Sequence, residues 1–299
     1  MHILLCGRFD TGERELWRSA LAAAWPQGHW LDEAGARAAP EQVRAAVVAN
    51  PPPGALQGLP NLALVQSLWA GVERLVTDPT LPSGVPLARM VDPMMSVAMA
   101  ETAHWAVLSL HRDFLAYARQ QRQRQWLPHP QRRADEVRVL VLGRGELGRT
   151  VGRRLADAGY RVAYWARGDD LDSSLSQADI VINLLPLTPA TRSLIDARFL
   201  ARLPAGAALV NLARGGHVVD TDLLAALDRG HLQHAVLDVF TQEPLPPDHA
   251  FWTHERVTVL PHVAAATDPR SAAAVVAANL QALVDGRPLA HLVDRSRGY

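Results

Sequence analysis

Apolar positions along the chain gather into short runs that alternate with stretches of helical spacing. His2–Gly7 reads as a short buried strand ended by a glycine. Residues 14–24 follow at helical intervals, with Leu16, Trp17, Ala20, Leu21 and Ala24 on one side. Val43–Ala49 is apolar and strand-like, and Asn50-Pro51-Pro52-Pro53-Gly54 stops it. Residues 62–68 form another apolar run, leading into Trp69-Ala70-Gly71-Val72. Strands alternating with helices imply a mostly parallel sheet covered on both faces.

The longest helical pattern covers residues 97–124, whose apolar positions include Ala103, Val107, Leu110, Phe114 and Tyr117. Its polar tail, from Arg119 to Trp126, reads as a solvated helix end or a subunit contact rather than a nucleic-acid patch. Residues 128–133 look like a linker. A second alternating unit begins at Val137. Strands are predicted at 137–142, Arg161–Trp165, 180–184, 207–212, 234–237 and 257–260, with a helix at 148–158. The final helix, 271–284, has Gly286 as its stop.

Composition narrows the chemistry. The chain has 299 residues, 48% hydrophobic and 20% charged, and its 30 basic and 30 acidic side chains leave a formal charge of zero. That balance argues against general polyanion binding. All 30 basic residues are arginine. Without lysine there is no Schiff-base catalysis and no P-loop lysine. Cys6 is the single cysteine, so no intrachain disulfide or Cys-rich zinc site can form, and no metal site is expected. The opening residues do not resemble a secretory signal, and no apolar run reaches the ~18 residues of a membrane span. A soluble, cytoplasmic protein of two domains is expected.

Val139-Leu140-Val141-Leu142-Gly143-Arg144-Gly145-Glu146-Leu147-Gly148 is a strand running through G-x-G-x-x-G into a helix. Gly143 permits the tight turn, Gly145 lets backbone approach a pyrophosphate, and Gly148 allows close helix–strand packing. The helix N-terminus then offers N–H donors and a favourable dipole to phosphate. An NAD site usually carries an acidic residue roughly 18 residues beyond the last glycine. Here that position is Ala166, followed by Arg167. The carboxylate that would repel a 2′-phosphate is missing and a guanidinium stands beside the gap, so NADP(H) is expected to be preferred, with NAD(H) the alternative. Asp169 and Asp170 follow directly and are placed to neutralise Arg167. Glu146 is unfavourable to phosphate unless Arg144 offsets it.

Three later segments end an apolar strand with polar residues: Asn211-Leu212-Ala213-Arg214-Gly215, Leu237-Asp238-Val239-Phe240-Thr241-Gln242-Glu243-Pro244 and Pro261-His262-Val263-Ala264. Open α/β sheets place ligand groups there. Reduction of a 2-keto acid needs a cation to hold the carboxylate and polarise the ketone, an acid for the nascent alkoxide, and a carboxylate that favours the protonated acid. Arg214, His262 and Glu243 supply one of each. His217 and Asp220 are read as structural.

With these motifs the chain resembles the D-isomer-specific 2-hydroxyacid dehydrogenases, and within them the glyoxylate/hydroxypyruvate reductase A branch. The likeness runs to the closing Val293-Asp294-Arg295-Ser296-Arg297-Gly298-Tyr299. It implies that Arg214 binds substrate carboxylate and keto oxygen, Glu243 supports the histidine, and His262 is the acid/base. It also implies that Asp238 holds the nicotinamide carboxamide, and that Leu147, Leu185, Pro186 and Ala213 join the cofactor site. Trp69, Ala70 and Gly71 would form the substrate loop, with the Ala70 and Gly71 N–H groups on the carboxylate. Formate dehydrogenases of the same family carry Gln where this chain has Glu243. Trp69 brings a bulky ring to the loop, either narrowing the pocket or packing against the neighbouring lobe. The stretch between Arg167 and Ile180 is short for the family.

The implied fold is α/β: a flavodoxin-like substrate-binding lobe at 1–97 and 266–299, and a Rossmann-type NAD(P) lobe at 98–265. The active site is expected in the interdomain cleft and the protein as a homodimer. The implied reaction is NADPH-dependent reduction of glyoxylate to glycolate and of hydroxypyruvate to D-glycerate. Alternatives are a bulkier D-2-hydroxy acid, or a dinucleotide-sensing regulator.

Overall fold

A computed structural model describes residues 1–298; Tyr299, the end of the predicted 266–299 segment and of the closing motif, lies outside the described residues. The chain divides into two compact units, Met1–Met95 with Thr267 onward, and Ser96–Ala266.

The first unit contains β1 (His2–Gly7), α1 (Thr11–Ala24), β2 (His29–Leu31), α2 (Glu33–Ala38), β3 (Val43–Ala49), β4 (Leu64–Ser67), α3 (Glu73–Val76) and β5 (Leu87–Ala88). Its sheet is wholly parallel in the order β2-β1-β3-β4-β5, the flavodoxin-like order. Successive side chains face opposite ways. Ile3, Leu5, Ala45 and Val47 pack with Trp17 and Leu21 of α1, while Leu4, Cys6, Ala46 and Val48 pack with Ala36, Leu56 and Leu75. The continuous apolar runs seen in the sequence therefore reflect a sheet buried on both faces.

From there α4 (Pro93–His111) and α5 (Phe114–Arg122) lead into the second unit. The sequence pattern predicts a single helix over 97–124; the chain instead breaks at Asp113, which adopts the left-handed conformation at φ +57. Asp tolerates that conformation better than most residues. Distant partners hold it there: Asp113 accepts from Gln233 Nε2 at 2.7 Å and lies 3.2 Å from His129.

The second unit continues with β6 (Arg138–Leu142), α6 (Glu146–Asp157), β7 (Arg161–Trp165), α7 (Leu171–Leu175), β8 (Ile180–Asn183), α8 (Ala197–Ala201), β9 (Ala207–Asn211), α9 (Asp220–Asp228), β10 (Leu232–Leu237) and β11 (Val257–Val259). α10 (Pro269–Val284) belongs to the first unit again, where Ala272, Val276 and Leu280 pack among the α1-side residues. The second sheet is also parallel, in the order β11-β10-β9-β8-β6-β7. Ala103, Val107 and Leu110 of α4 and Val151 and Leu155 of α6 cover one face; Phe199, Leu223, Leu227 and Phe251 cover the other. Burial of each such large side chain contributes roughly 2 kcal/mol.

Because all six strands run the same way, the loops after them emerge at one edge. Gly143 follows β6, Ala166 follows β7, Leu184 follows β8, Leu212 follows β9, Asp238 follows β10 and Leu260 follows β11. The strand order reverses between β7 and β8 about β6, the switch point where such sheets bind ligands. No helix among the described residues is long and apolar enough to cross a membrane.

Candidate active site

At the switch point the glycine turn joins β6 to α6. Gly143 is left-handed at φ +112, and a Cβ on Gly148 would stand 2.0 Å from the Gly143 carbonyl oxygen. Only glycine lets α6 start so close to the strand. Gly145 begins α6 without a side-chain cap. Elsewhere Asp10, Asp32, Asp170, Asp196 and Asp268 cap helices through their carboxylates. The first N–H groups of α6, at Glu146 and Leu147, are therefore left to a ligand or to water. An uncapped N-terminus beside a glycine turn fits a pyrophosphate.

At the end of β7, Asp169 does not neutralise Arg167 as the sequence order suggests. Its Oδ2 accepts the Ala166 N–H at 2.9 Å and lies 3.3 Å from Arg144. Asp170 instead caps α7 through the Ser173 N–H. Arg167 is exposed and has no ion-pair partner among the described residues. The turn geometry, not chain adjacency, decides which arginine is paired, and it is Arg144 that Asp169 engages.

The loops after β8 and β9 are tied together by polar residues that the sequence reading did not single out as functional. Asn183 Nδ2 donates to Asn211 Oδ1 at 3.0 Å, and both side chains are buried. Asn183 Oδ1 accepts the Leu185 N–H, Asn211 Oδ1 accepts the Ala213 N–H, and Asn211 Nδ2 donates to Arg214 O. The ring nitrogens of fully buried His217 stand 3.0 Å from Arg214 O and 3.3 Å from Pro186 O. Leu185, Pro186, Ala213 and Arg214 are thereby fixed at the sheet edge. The only trace of this in the sequence is an asparagine closing each of two otherwise apolar strands.

A Cβ on Gly215 would come within 1.9 Å of the Phe240 carbonyl carbon, so the Arg214 loop lies directly against the segment that carries Glu243. The Phe240 N–H donates to Glu243 Oε1 at 2.8 Å, and His262 Nδ1 donates to Glu243 Oε2 at 2.7 Å. A carboxylate only accepts, so this bond puts the Nδ1 proton on the ring and directs Nε2 away from Glu243. Asp238, almost fully buried, accepts the Val263 N–H at 2.7 Å and the Ala264 N–H at 3.1 Å, and its carbonyl accepts the His262 N–H. Burial pushes its carboxyl above the usual range despite those amides. His262 itself is left-handed at φ +55, a conformation that these bonds hold in place.

In the first unit, the loop after β4 is pinned by Ser67, whose Oγ accepts the Trp69 N–H and donates to Trp69 O, each at 3.0 Å. The N–H groups of Ala70 and Gly71 meet no acceptor among the described residues. The Trp69 ring is partly buried and stands edge-to-face on Trp17 of α1, 6.0 Å between centroids. That packing partner belongs to the same unit as the loop.

A parallel α/β unit with a glycine turn at its switch point and an arginine, a glutamate and a histidine at the same edge defines a dinucleotide-dependent oxidoreductase. The family model for the NAD binding domain of D-isomer specific 2-hydroxyacid dehydrogenases matches residues 104–264. A D-isomer specific 2-hydroxyacid dehydrogenase from Xanthobacter autotrophicus, solved with NADPH and MES, is similar at 39% identity and a TM-score of 0.93, covering 100% of this chain and 99% of its own. An NADPH-dependent glyoxylate/hydroxypyruvate reductase from Sinorhizobium meliloti, solved with NADP and sulfate, has 34% identity and a TM-score of 0.91, covering 100% and 99%. A glyoxylate/hydroxypyruvate reductase A from Yersinia enterocolitica is 39% identical over 272 residues, 85% of this chain and 87% of its own length. The chain belongs to the D-isomer specific 2-hydroxyacid dehydrogenases, a family of NAD(P)-dependent enzymes.

Proposed function

We propose that the protein reduces small 2-keto acids with NADPH, turning glyoxylate into glycolate and hydroxypyruvate into D-glycerate. The observation that carries this reading is the Glu243–His262 pair at 2.7 Å, set at the sheet edge that also bears the uncapped start of α6. When bound, the reduced nicotinamide supplies hydride to the keto carbon. His262, oriented by Glu243, presents Nε2–H to the oxygen that becomes the alkoxide and delivers its proton there. Glu243 compensates the ring's charge while both nitrogens carry protons. The Arg214 guanidinium holds the substrate carboxylate and polarises the ketone. Ala70 and Gly71 offer two further N–H groups for that carboxylate.

For the cofactor, the α6 N-terminus with Gly143, Gly145, Glu146, Leu147 and Gly148 would hold the pyrophosphate. The Ala166 N–H, Arg167 and Arg144 would hold a 2′-phosphate, and Asp238 the carboxamide. Two similar proteins were solved with NADPH or NADP, which supports the same choice here. We further propose a homodimer, because Trp126 is 95% exposed and Leu127 is 56% exposed beyond α5. Turnover of glyoxylate, hydroxypyruvate, pyruvate and a bulkier 2-keto acid with each nicotinamide tests the reading. The expected order is small acids first and NADPH over NADH; equal or better efficiency with NADH removes the cofactor assignment.

A further inference from the structure

The groups assigned above to the ribose 2′-phosphate already hold an anion belonging to the protein. Asp169 Oδ2 accepts the Ala166 N–H at 2.9 Å and pairs with Arg144 Nη2 at 3.3 Å. A turn builds this arrangement: the Asp169 N–H donates to Ala166 O at 3.0 Å, and Gly168 supplies the left-handed residue at φ +99. Trp165 Nε1 donates to Asp169 O at 3.0 Å, anchoring the far side of the turn to β7. The carboxylate is thereby folded back over the strand end and onto two donors of the phosphate seat, while Arg167 beside it has no ion-pair partner among the described residues.

We propose that Asp169 is a specificity-determining residue: its carboxylate stands in for the 2′-phosphate in the free protein, must leave that seat for NADPH, and stays to accept the ribose 2′-hydroxyl of NADH. This rests on the NADP(H) reading given above. The single Ala166 N–H serves one acceptor, and a phosphate set beside the Asp169 carboxylate is repelled by it, so NADPH binding includes displacement of Asp169 from that amide. The displaced contacts are half-exposed and screened, so the penalty corresponds to no more than about fivefold in affinity. For NADH the same carboxylate occupies the place that an acidic residue at the end of the second strand takes in NAD sites. Asp169 therefore narrows the preference that Arg167 creates.

The test is direct binding, read from the fluorescence of the reduced nicotinamide on titrating NADPH and NADH into the wild-type protein, Asp169→Ala, Asp169→Asn and Arg167→Ala, with no substrate present. Asp169→Asn keeps a side chain able to accept the Ala166 N–H, so it separates charge from turn geometry. Both Asp169 variants are expected to bind NADPH about three- to fivefold more tightly and NADH no better than wild type. Unchanged or weaker NADPH binding in both overturns the inference. Arg167→Ala is expected to weaken NADPH about tenfold and spare NADH. If it does so while the Asp169 variants gain nothing, only the role of Asp169 falls. If it leaves NADPH untouched, the phosphate-binding reading itself falls.

Discussion

Glu243 bonds with both carboxylate oxygens, one to the Phe240 amide at 2.8 Å and the other to His262 Nδ1 at 2.7 Å. A carboxylate clamped at one end is a fixed reference for the ring at the other. Removal of the ring and removal of the charge are therefore separable. His262→Ala is expected to lower kcat by about 10³-fold or more, with the Kd for NADPH within twofold of wild type. Glu243→Gln retains an acceptor for Nδ1–H but no negative charge, and about 10²-fold loss in kcat is expected. Steady-state kinetics paired with fluorescence titration measures both. Near-normal turnover in His262→Ala would remove the histidine from its assigned role.

Two glycines of the same turn are expected to fail in different ways. A methyl group at residue 148 collides with Gly143 O at 2.0 Å, so Gly148→Ala must push α6 off β6, at about 2–3 kcal/mol of stability. A methyl at residue 145 meets nothing within 4 Å among the described residues, and its φ of −77 suits any L-residue. Gly145→Ala should leave the melting temperature nearly unchanged while weakening NADPH at least tenfold, because on the proposed reading the new group would stand where the pyrophosphate approaches. Calorimetry and titration on both variants test this contrast. A large stability loss in Gly145→Ala would show that the turn, not the ligand, requires that glycine.

What the sequence reveals follows from how far each constraint reaches along the chain. The predicted bounds of β3 and β7 coincide with the observed strands, since an apolar run between turn residues is a local signal. The break at Asp113 was hidden because helical spacing continues on both sides of it. Its cause lies in Gln233 and His129, and periodicity carries no information about such partners. The same holds for Asn183, Asn211 and His217, whose value is in joining two loops that are separated in the chain. The Arg167 environment depended on a turn that sends Asp169 towards Arg144, a choice that composition leaves open.

The single cysteine should be chemically silent in the native protein. Cys6 lies within β1, fully buried, and burial, with Glu33 adding to it, pushes its thiol up to about 12. Thiolate is the reactive form, so little is present at neutral pH. Ellman's reagent is expected to titrate no thiol in the folded enzyme and one per chain in guanidinium. Rapid native reaction would place Cys6 outside the core of the first unit.

Acid should weaken the second unit through His234. This residue is buried on β10, with Nε2 2.9 Å from Thr258 Oγ1. Burial, aided by Arg119, His254 and Arg256, lowers its pKa from 6.5 to about 4. Between those values the unfolded chain binds a proton that the folded chain refuses. Stability from this group is therefore fully present above pH 6.5 and is lost as pH falls towards 4, by up to about 3 kcal/mol. Asp238 acts in the opposite direction, since burial raises its carboxyl, but that contribution is common to wild type and a His234 variant. His234→Gln keeps a partner for Thr258 and has nothing to titrate. Its melting temperature should fall less than that of wild type between pH 7 and pH 4.5, the difference appearing only below about pH 6.5. Parallel curves across that range would mean that His234 carries its proton in the folded state as readily as in the unfolded chain.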